Sequence, residues 1–303
     1  MLEDISEYKQ NLRAYGGLAG QKVGLTIDGV NWMIKYPGNL KHRELKNIQL
    51  SYSNGPVCEY LGSHFYEMLG IETHKTKLAV RNGKLVVMCK DFVTDNARLI
   101  EFRELKSTYE PAFMTPDGGL SEGTGSDLEE ALVVIRNHPT LELIEGVEQR
   151  FWQMFIIDFI LGNPDRNNGN WGILITGGNH VALAPVYDNG NCLNDKWDDE
   201  KMLKFLEREE LMNGEAYGSK VCFFTRNGKK IKPYSLIRSN NFPECTSVLR
   251  SLMPKLLSVN VEKFFTGCDF LSNVQKEFYT RTVSIRIAKL SGIAQECAQL
   301  ASF

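Results

Sequence analysis

The chain has 303 residues, room for one large or two modest domains. Its 43% hydrophobic and 24% charged composition is that of an ordinary globular protein, and a net charge of −2 gives no general field for nucleic acid. Seven cysteines without a Cys-x-x-Cys pair, five scattered histidines and an acidic start argue against a disulfide framework, a zinc site and a secretory leader. The most apolar run, 151–161, is interrupted by Gln153 and Asp158 and is too short for a bilayer span. A cytoplasmic protein without nucleic-acid or membrane binding is expected, with secretion as an effector the alternative.

In chain order, 1–15 reads as a short lead-in with some helical character. A glycine-rich loop, Gly16-Gly17-Leu18-Ala19-Gly20-Gln21-Lys22, precedes strands at 23–27 and 30–36, which turn at Asp28-Gly29. Residues 38–55 are polar and irregular. Pro56 opens and Gly70 stops a helix over 56–69. A second hairpin, 71–80 with 84–89, turns at Asn82-Gly83.

From about 95 the pattern turns helical: 95–113, 128–137 and 141–161, with a Gly/Ser/Thr-rich loop over 115–127. Two apolar runs within 171–187 form a further hairpin around Gly177-Gly178-Asn179-His180. An irregular stretch is expected to about 243, then helices at 244–258, 260–272 and 273–301. A small β-rich part, 1–90, followed by a helical part, 91–303, is an α+β, bilobal plan within one domain.

The chemistry concentrates on either side of the third hairpin. Before it stands Asn163-Pro164-Asp165-Arg166-Asn167-Asn168-Gly169-Asn170; after it stands Asp188-Asn189-Gly190. Taken singly, both are ordinary turn sequences. A hairpin brings its two ends together, so Asn170 and Asp188 should meet, with Asp165 on the loop before them. Two oxygen ligands and a spare carboxylate suit a Mg²⁺–nucleotide site, because Mg²⁺ takes few protein ligands beside phosphate and water.

Other residues gain meaning from that set. Lys35 shares a strand face with Met33, while Trp32 and Ile34 take the other, so Lys35 can reach α/β-phosphates; alone it is a solvated strand lysine. Gly16, Gly17 and Gly20, with Gln21 or Lys22, could cover the phosphates, although no Walker A pattern is present. Glu59 and Glu67 lie about 80° apart on one helix, so only one can face Lys35 squarely; Glu59 is preferred, against an exposed carboxylate. Main-chain groups over Met88, Cys89, Lys90 and Asp91 could read an adenine edge, with Met88 and Phe92 flanking the ring or simply belonging to the core. Asp158 reads as a structural partner of the 163–170 loop. Arg226-Asn227-Gly228-Lys229-Lys230-Ile231-Lys232 is a solvated turn, with a patch for nucleic acid or an acidic substrate the alternative.

These segments, in this order, resemble the HipA-like kinases: Tyr15–Gly20, Trp32–Pro37, Cys58–Leu61, Asn163–Asn170 and Tyr187–Gly190, with the short stand-alone members the closer likeness. The resemblance runs from about residue 12 to the C-terminal helices. It implies a protein-kinase-like fold and transfer of phosphate from ATP, with Mg²⁺, to protein Ser or Thr. It implies Asp165 as the base, Asn170 and Asp188 as metal ligands, and Lys35 on the phosphates. It also implies a protein target, such as an aminoacyl-tRNA synthetase or a host protein, and a toxin role with an antitoxin partner. Autophosphorylation near the glycine-rich loop is a family theme. This loop has no Ser or Thr, and Thr26 and Ser6 are the nearest hydroxyls. A phosphotransferase for lipids or small molecules and a non-catalytic nucleotide-binding partner are the competing readings.

Overall fold

A computed structural model describes residues 2–16, 21–40, 51–109, 127–178, 180–218 and 229–300. The chain divides into two compact units. The first comprises Met1–Phe92, Pro185–Glu215 and Asn260–Val283; the second comprises Val93–Ala184, Ala216–Val259 and Ser284–Phe303.

The first unit is built on a five-stranded sheet. Its strands are β1 (Glu3–Asp4), β2 (Lys22–Ile27), β3 (Val30–Lys35), β4 (Thr76–Arg81) and β5 (Lys84–Lys90), in the order β1-β4-β5-β3-β2. Asp28 and Gly29 both take positive φ, 51° and 73°, and so do Asn82 and Gly83, 50° and 71°. That is the turn whose twist matches paired antiparallel strands, and it explains both hairpins. Alternation along β3 buries Trp32 and Ile34 with Leu25, Val86 and Met88 on one face. Met33 packs on Val87 and Cys89 on the other. The lead-in is not helical: β1 pairs in parallel with β4, because fully buried Ile5 completes the first face. Residues 71–75 precede β4 rather than forming its start.

Helix α1 (Gly55–Met68) carries Pro56 in its first turn and buries Val57, Cys58, Leu61 and Phe65. Each such apolar side chain contributes about 1.5–3 kcal/mol relative to exposure.

The second unit has a three-stranded sheet of β6 (Ala97–Glu101), β7 (Gly172–Thr176) and β8 (His180–Leu183), in that order. The helix expected over 95–113 is therefore corrected to strand β6 followed by α2 (Phe102–Thr108). Leu99 and Ile100 pair across from Leu174 and Ile173, so long-range pairing overrides local helix preference. A capping box between Glu101 and Glu104 then starts α2.

Helix α3 (Leu128–Asn137) forms as expected, capped by Asp127. The helix expected over 141–161 is instead α4 (Pro139–Glu142) and α5 (Val147–Leu161), separated where Gly146 takes a φ of 77°. Gly162 ends α5 in the left-handed region, where an added Cβ would lie 2.7 Å from the buried guanidinium of Arg286.

The supposedly irregular stretch to 243 holds α6 (Asp199–Leu206), α7 (Glu209–Gly218) and α8 (Pro233–Ser239). Helices α9 (Pro243–Ser258), α10 (Val261–Thr266) and α11 (Asn273–Leu300) follow. Among the described residues no helix is long and apolar enough to cross a membrane.

Candidate active site

In the first unit, Lys35 at the end of β3 is the centre of a buried charge cluster. Its Nζ lies 2.7 Å from Glu59 Oε2 and 2.7 Å from Asp188 Oδ1. Glu67, one turn pair further along α1, bonds exposed Lys75 instead, so the choice of Glu59 agrees with the helix geometry. Burial works against the Lys35 charge, but Glu59 and Asp188 outweigh it and raise its proton affinity above the ordinary lysine range. Burial likewise pushes the Glu59 carboxyl up, and the Lys35 charge and the His74 bond overcome that, leaving it well below the ordinary carboxylate range.

Glu59 is held on its other oxygen as well. Oε1 accepts the Asn189 N–H at 2.8 Å and lies 3.0 Å from His74 Nε2. Ser63 Oγ joins these groups, 3.1 Å from His74 Nε2 and accepting from Asn189 Nδ2 at 3.0 Å. Asp188 thus stands at a turn anchored through its neighbour. The strand before it is fixed too, since Val186 accepts from His74 N–H at 3.0 Å and from Thr73 Oγ1 at 2.8 Å. His74 and Ser63 belong to no motif, and only their burial marks them; Asn189 stands in the Asp188 turn, but its role there was not foreseen.

Asp188 has a φ of 60°, uncommon for a residue with a side chain and frequent at functional turns. One of its oxygens bonds Lys35. Its side chain is about one-third exposed and lines a cavity of about 480 Å³ with Gln21, Lys22 and Lys35. A carboxylate beside a lysine at the wall of a polar cavity is a donor set that fits a hard cation with phosphate.

The close fit of α1 to this turn leaves no room for a methyl group. A Cβ at Gly62 would lie 2.8 Å from Asn189 Cβ. Gly62→Ala is therefore expected to destabilise the protein by about 1–3 kcal/mol, read as a lower urea midpoint, and to reduce activity by shifting the Asp188 turn.

The second unit holds the other half of the motif. Buried Arg166 donates to Asp158 through Nε at 2.9 Å and Nη2 at 3.2 Å, and through Nη1 to the Asn170 carbonyl at 2.9 Å. Asn163 donates to Asp158 at 3.1 Å and accepts the Asp165 N–H at 3.0 Å. Asp158 is thus the structural partner of the loop. Asn170 Nδ2 donates to the Asp165 carbonyl at 2.7 Å, which fixes the amide and leaves its oxygen for a ligand. Asp165 itself is half-buried, with Asn167 Nδ2 3.1 Å from its carboxylate.

The segment over 88–91 fits its expected role less well. Met88 is buried in the sheet core beside Ile34, the core place that was the alternative to flanking a ring. Cys89 is buried on the opposite face. The Lys90 and Asp91 N–H groups are taken by the Lys75 and Asn31 carbonyls, and Asp91 binds Arg13 at 2.8 Å and Tyr15 at 2.9 Å. Phe92 pairs with Tyr187, ring centroids 5.6 Å apart. In the glycine-rich loop, Gly17 and Gly20 lie outside the described residues. The carbonyl of Gly16 accepts from Lys22 Nζ at 2.9 Å.

No family model matches the chain. A curated relative, the serine/threonine-protein kinase CtkA of Helicobacter pylori strain J99, is 30% identical over 285 residues, covering 93% of this chain and 84% of the relative. This chain belongs to the serine/threonine-protein kinases of the CtkA type. The kinase also superposes on the crystal structure of a proinflammatory CtkA from H. pylori with a TM-score of 0.87, at 28% identity over 99% of both chains. The likeness to HipA of Shewanella oneidensis MR-1, solved with HipB and operator DNA, has a TM-score of 0.48 at 10% identity and carries no argument. Kinase membership brings with it a protein substrate, a nucleotide phosphoryl donor and a divalent metal.

Proposed function

We propose that this kinase transfers the γ-phosphoryl group of ATP to a protein serine or threonine, with Mg²⁺ as the metal. The observation that carries the reading is Lys35 held between Glu59 and Asp188, 2.7 Å from each, at the wall of a polar cavity. In that reading Lys35 meets the phosphates, and Glu59 fixes the reach of its side chain. Lys22 and the glycines before it cover the same phosphates. Asp188 and Asn170 supply the metal-binding oxygens. When bound, Mg²⁺ supplies charge neutralisation on the β- and γ-phosphate oxygens.

Asp165 accepts the proton of the acceptor hydroxyl as that oxygen attacks the γ-phosphorus and the bond to the β-phosphate oxygen breaks, releasing ADP. Little covalent chemistry falls to the protein, so positioning and charge do most of the work. A cytoplasmic site of action is part of the proposal, and six unpaired cysteines among the described residues support it.

The test is incubation with γ-labelled ATP and Mg²⁺ beside Asp188→Ala and a chelated control. Label on serine or threonine in the wild type is expected, falling at least about 100-fold in the variant. Full transfer by Asp188→Ala, or label confined to lipid or metabolite fractions, would overturn the reading.

A further inference from the structure

The cavity beside Asp188 carries positive groups at its other end, away from Lys35. Four lysines line it, Lys22, Lys35, Lys84 and Lys196, against three carboxylates, Glu59, Asp188 and Asp195. Lys35 contacts the first two carboxylates, its single charge offsetting one of the two. Lys196 lies 3.2 Å from Asp195. Lys22 and Lys84 have no carboxylate partner among the described residues.

These two cations are not equivalent. Lys22 stands directly across from Lys35 in the β2–β3 ladder, a like-charge pairing that the Glu59 and Asp188 carboxylates offset. Burial and the Lys35 charge both weaken its hold on a proton. That pair belongs to the nucleotide phosphates. Lys84 sits instead at the start of β5, its Nζ 4.9 Å from the centre of the Tyr52 ring. The first turn of α1 reaches the same cavity through Gly55 and Pro56. It carries no acidic residue, and its N-cap Asn54 makes no side-chain bond to the helix. The positive end of a 14-residue helix therefore adds to the field of Lys84 and Lys196.

We propose that this end of the cavity binds an anionic side chain of the protein substrate, a carboxylate or a phosphorylated residue close in sequence to the acceptor hydroxyl. The kinase would then select serines and threonines in acidic or previously phosphorylated segments. Specificity of this kind follows from charge complementarity placed beside the reacting group. The inference rests on the reading of Lys35 and Asp188 as the nucleotide end of the cavity.

The test uses synthetic peptides with one central serine and Asp, phosphoserine, Asn or Lys at each flanking position. Wild type, Lys84→Glu and Lys196→Glu are compared by kcat/KM for peptide and by KM for ATP. Binding of the fluorescein-labelled Asp and phosphoserine peptides, with a non-hydrolysable ATP analogue present, is measured in parallel. A preference of about tenfold for an acidic over an Asn neighbour is expected at one position, and each reversal should remove it or turn it toward Lys. The KM for ATP and turnover of the Asn peptide should stay within about twofold. Asp and phosphoserine peptides that compete equally would make charge alone the determinant; a large gap would identify phosphate.

No acidic preference in either turnover or binding overturns the proposal. So do reversals that raise KM for ATP and leave peptide selection unchanged, because the cavity then serves nucleotide alone. Peptide binding is read without turnover, so acidic-peptide binding retained in Asp188→Ala separates this proposal from failure of the phosphotransfer reading.

Discussion

Replacing Asp165 with alanine is expected to lower kcat by about 10²–10⁴-fold, the usual worth of a positioned general base. KM for ATP should move by no more than about twofold, because in the proposed mechanism the residue acts on the acceptor hydroxyl rather than on the nucleotide. The fold should survive. The main-chain carbonyl of Asp165, not its carboxylate, accepts from Asn170 Nδ2 at 2.7 Å and from the Asn167 N–H at 2.8 Å. Alanine keeps that carbonyl. The loop is also tied down by buried Arg166 and Asp158, which the substitution leaves in place. The measurement is single-turnover phosphotransfer at saturating ATP, with circular dichroism and a denaturation midpoint beside it. Wild-type kcat in Asp165→Ala, with the protein folded, would show that another group takes the proton.

What could be read from the chain follows a physical division. Both hairpins of the first sheet were legible because Asp28-Gly29 and Asn82-Gly83 are short local signals for a turn with positive φ at both centres. The 163–170 loop and the Asp188 turn could be picked out as candidates because polar turn residues flank a hairpin that its two apolar runs announce. Strand β6 was not, since its partners in β7 lie some seventy residues on and nothing local in Arg98-Leu99-Ile100-Glu101 demands a strand. The division of α4 from α5 at Gly146 was missed because one glycine in an apolar run is compatible with an uninterrupted helix.

Within the site, Lys35 and Glu59 could be chosen from alternation and helix angle. His74, Ser63 and Asn189 could not, because their roles come from tertiary convergence, Asn189 meeting Glu59 and Ser63 from more than a hundred residues away. Which of its two open places Met88 takes was likewise beyond a local reading. Its place in β5, opposite Ile34, turns the side chain into the core.

Glu59 carries the second large effect, on stability and activity together. Removing one member of a buried, hydrogen-bonded ion pair costs about 3–5 kcal/mol, because a charge and its donors are left behind. Glu59→Ala should fall near the lower end, since Asp188 still lies 2.7 Å from Lys35. That remaining contact is the reason for the activity loss. Freed of Glu59, Lys35 is held by Asp188 alone, so the lysine shifts from the phosphates and Asp188 is more fully occupied. A displacement of about 1 Å at such a site can cost about 100-fold in rate. Glu59→Gln keeps the shape and an acceptor for the Asn189 N–H, and should recover stability better than activity.

The pH dependence supplies an independent check. The folded carboxyl of Glu59 lies below its ordinary value of 4.5, so its stabilisation is complete above that pH and is lost progressively as the pH falls beneath it. Lys35 is displaced the other way, above 10.5, so its contribution is complete below that pH and is lost as the pH rises beyond it. Urea denaturation across the acid range should therefore show a shallower decline for Glu59→Gln than for the wild type. Parallel acid limbs in the two proteins would mean that folding does not lower the Glu59 carboxyl, and that the ion pair with Lys35 does not organise the site.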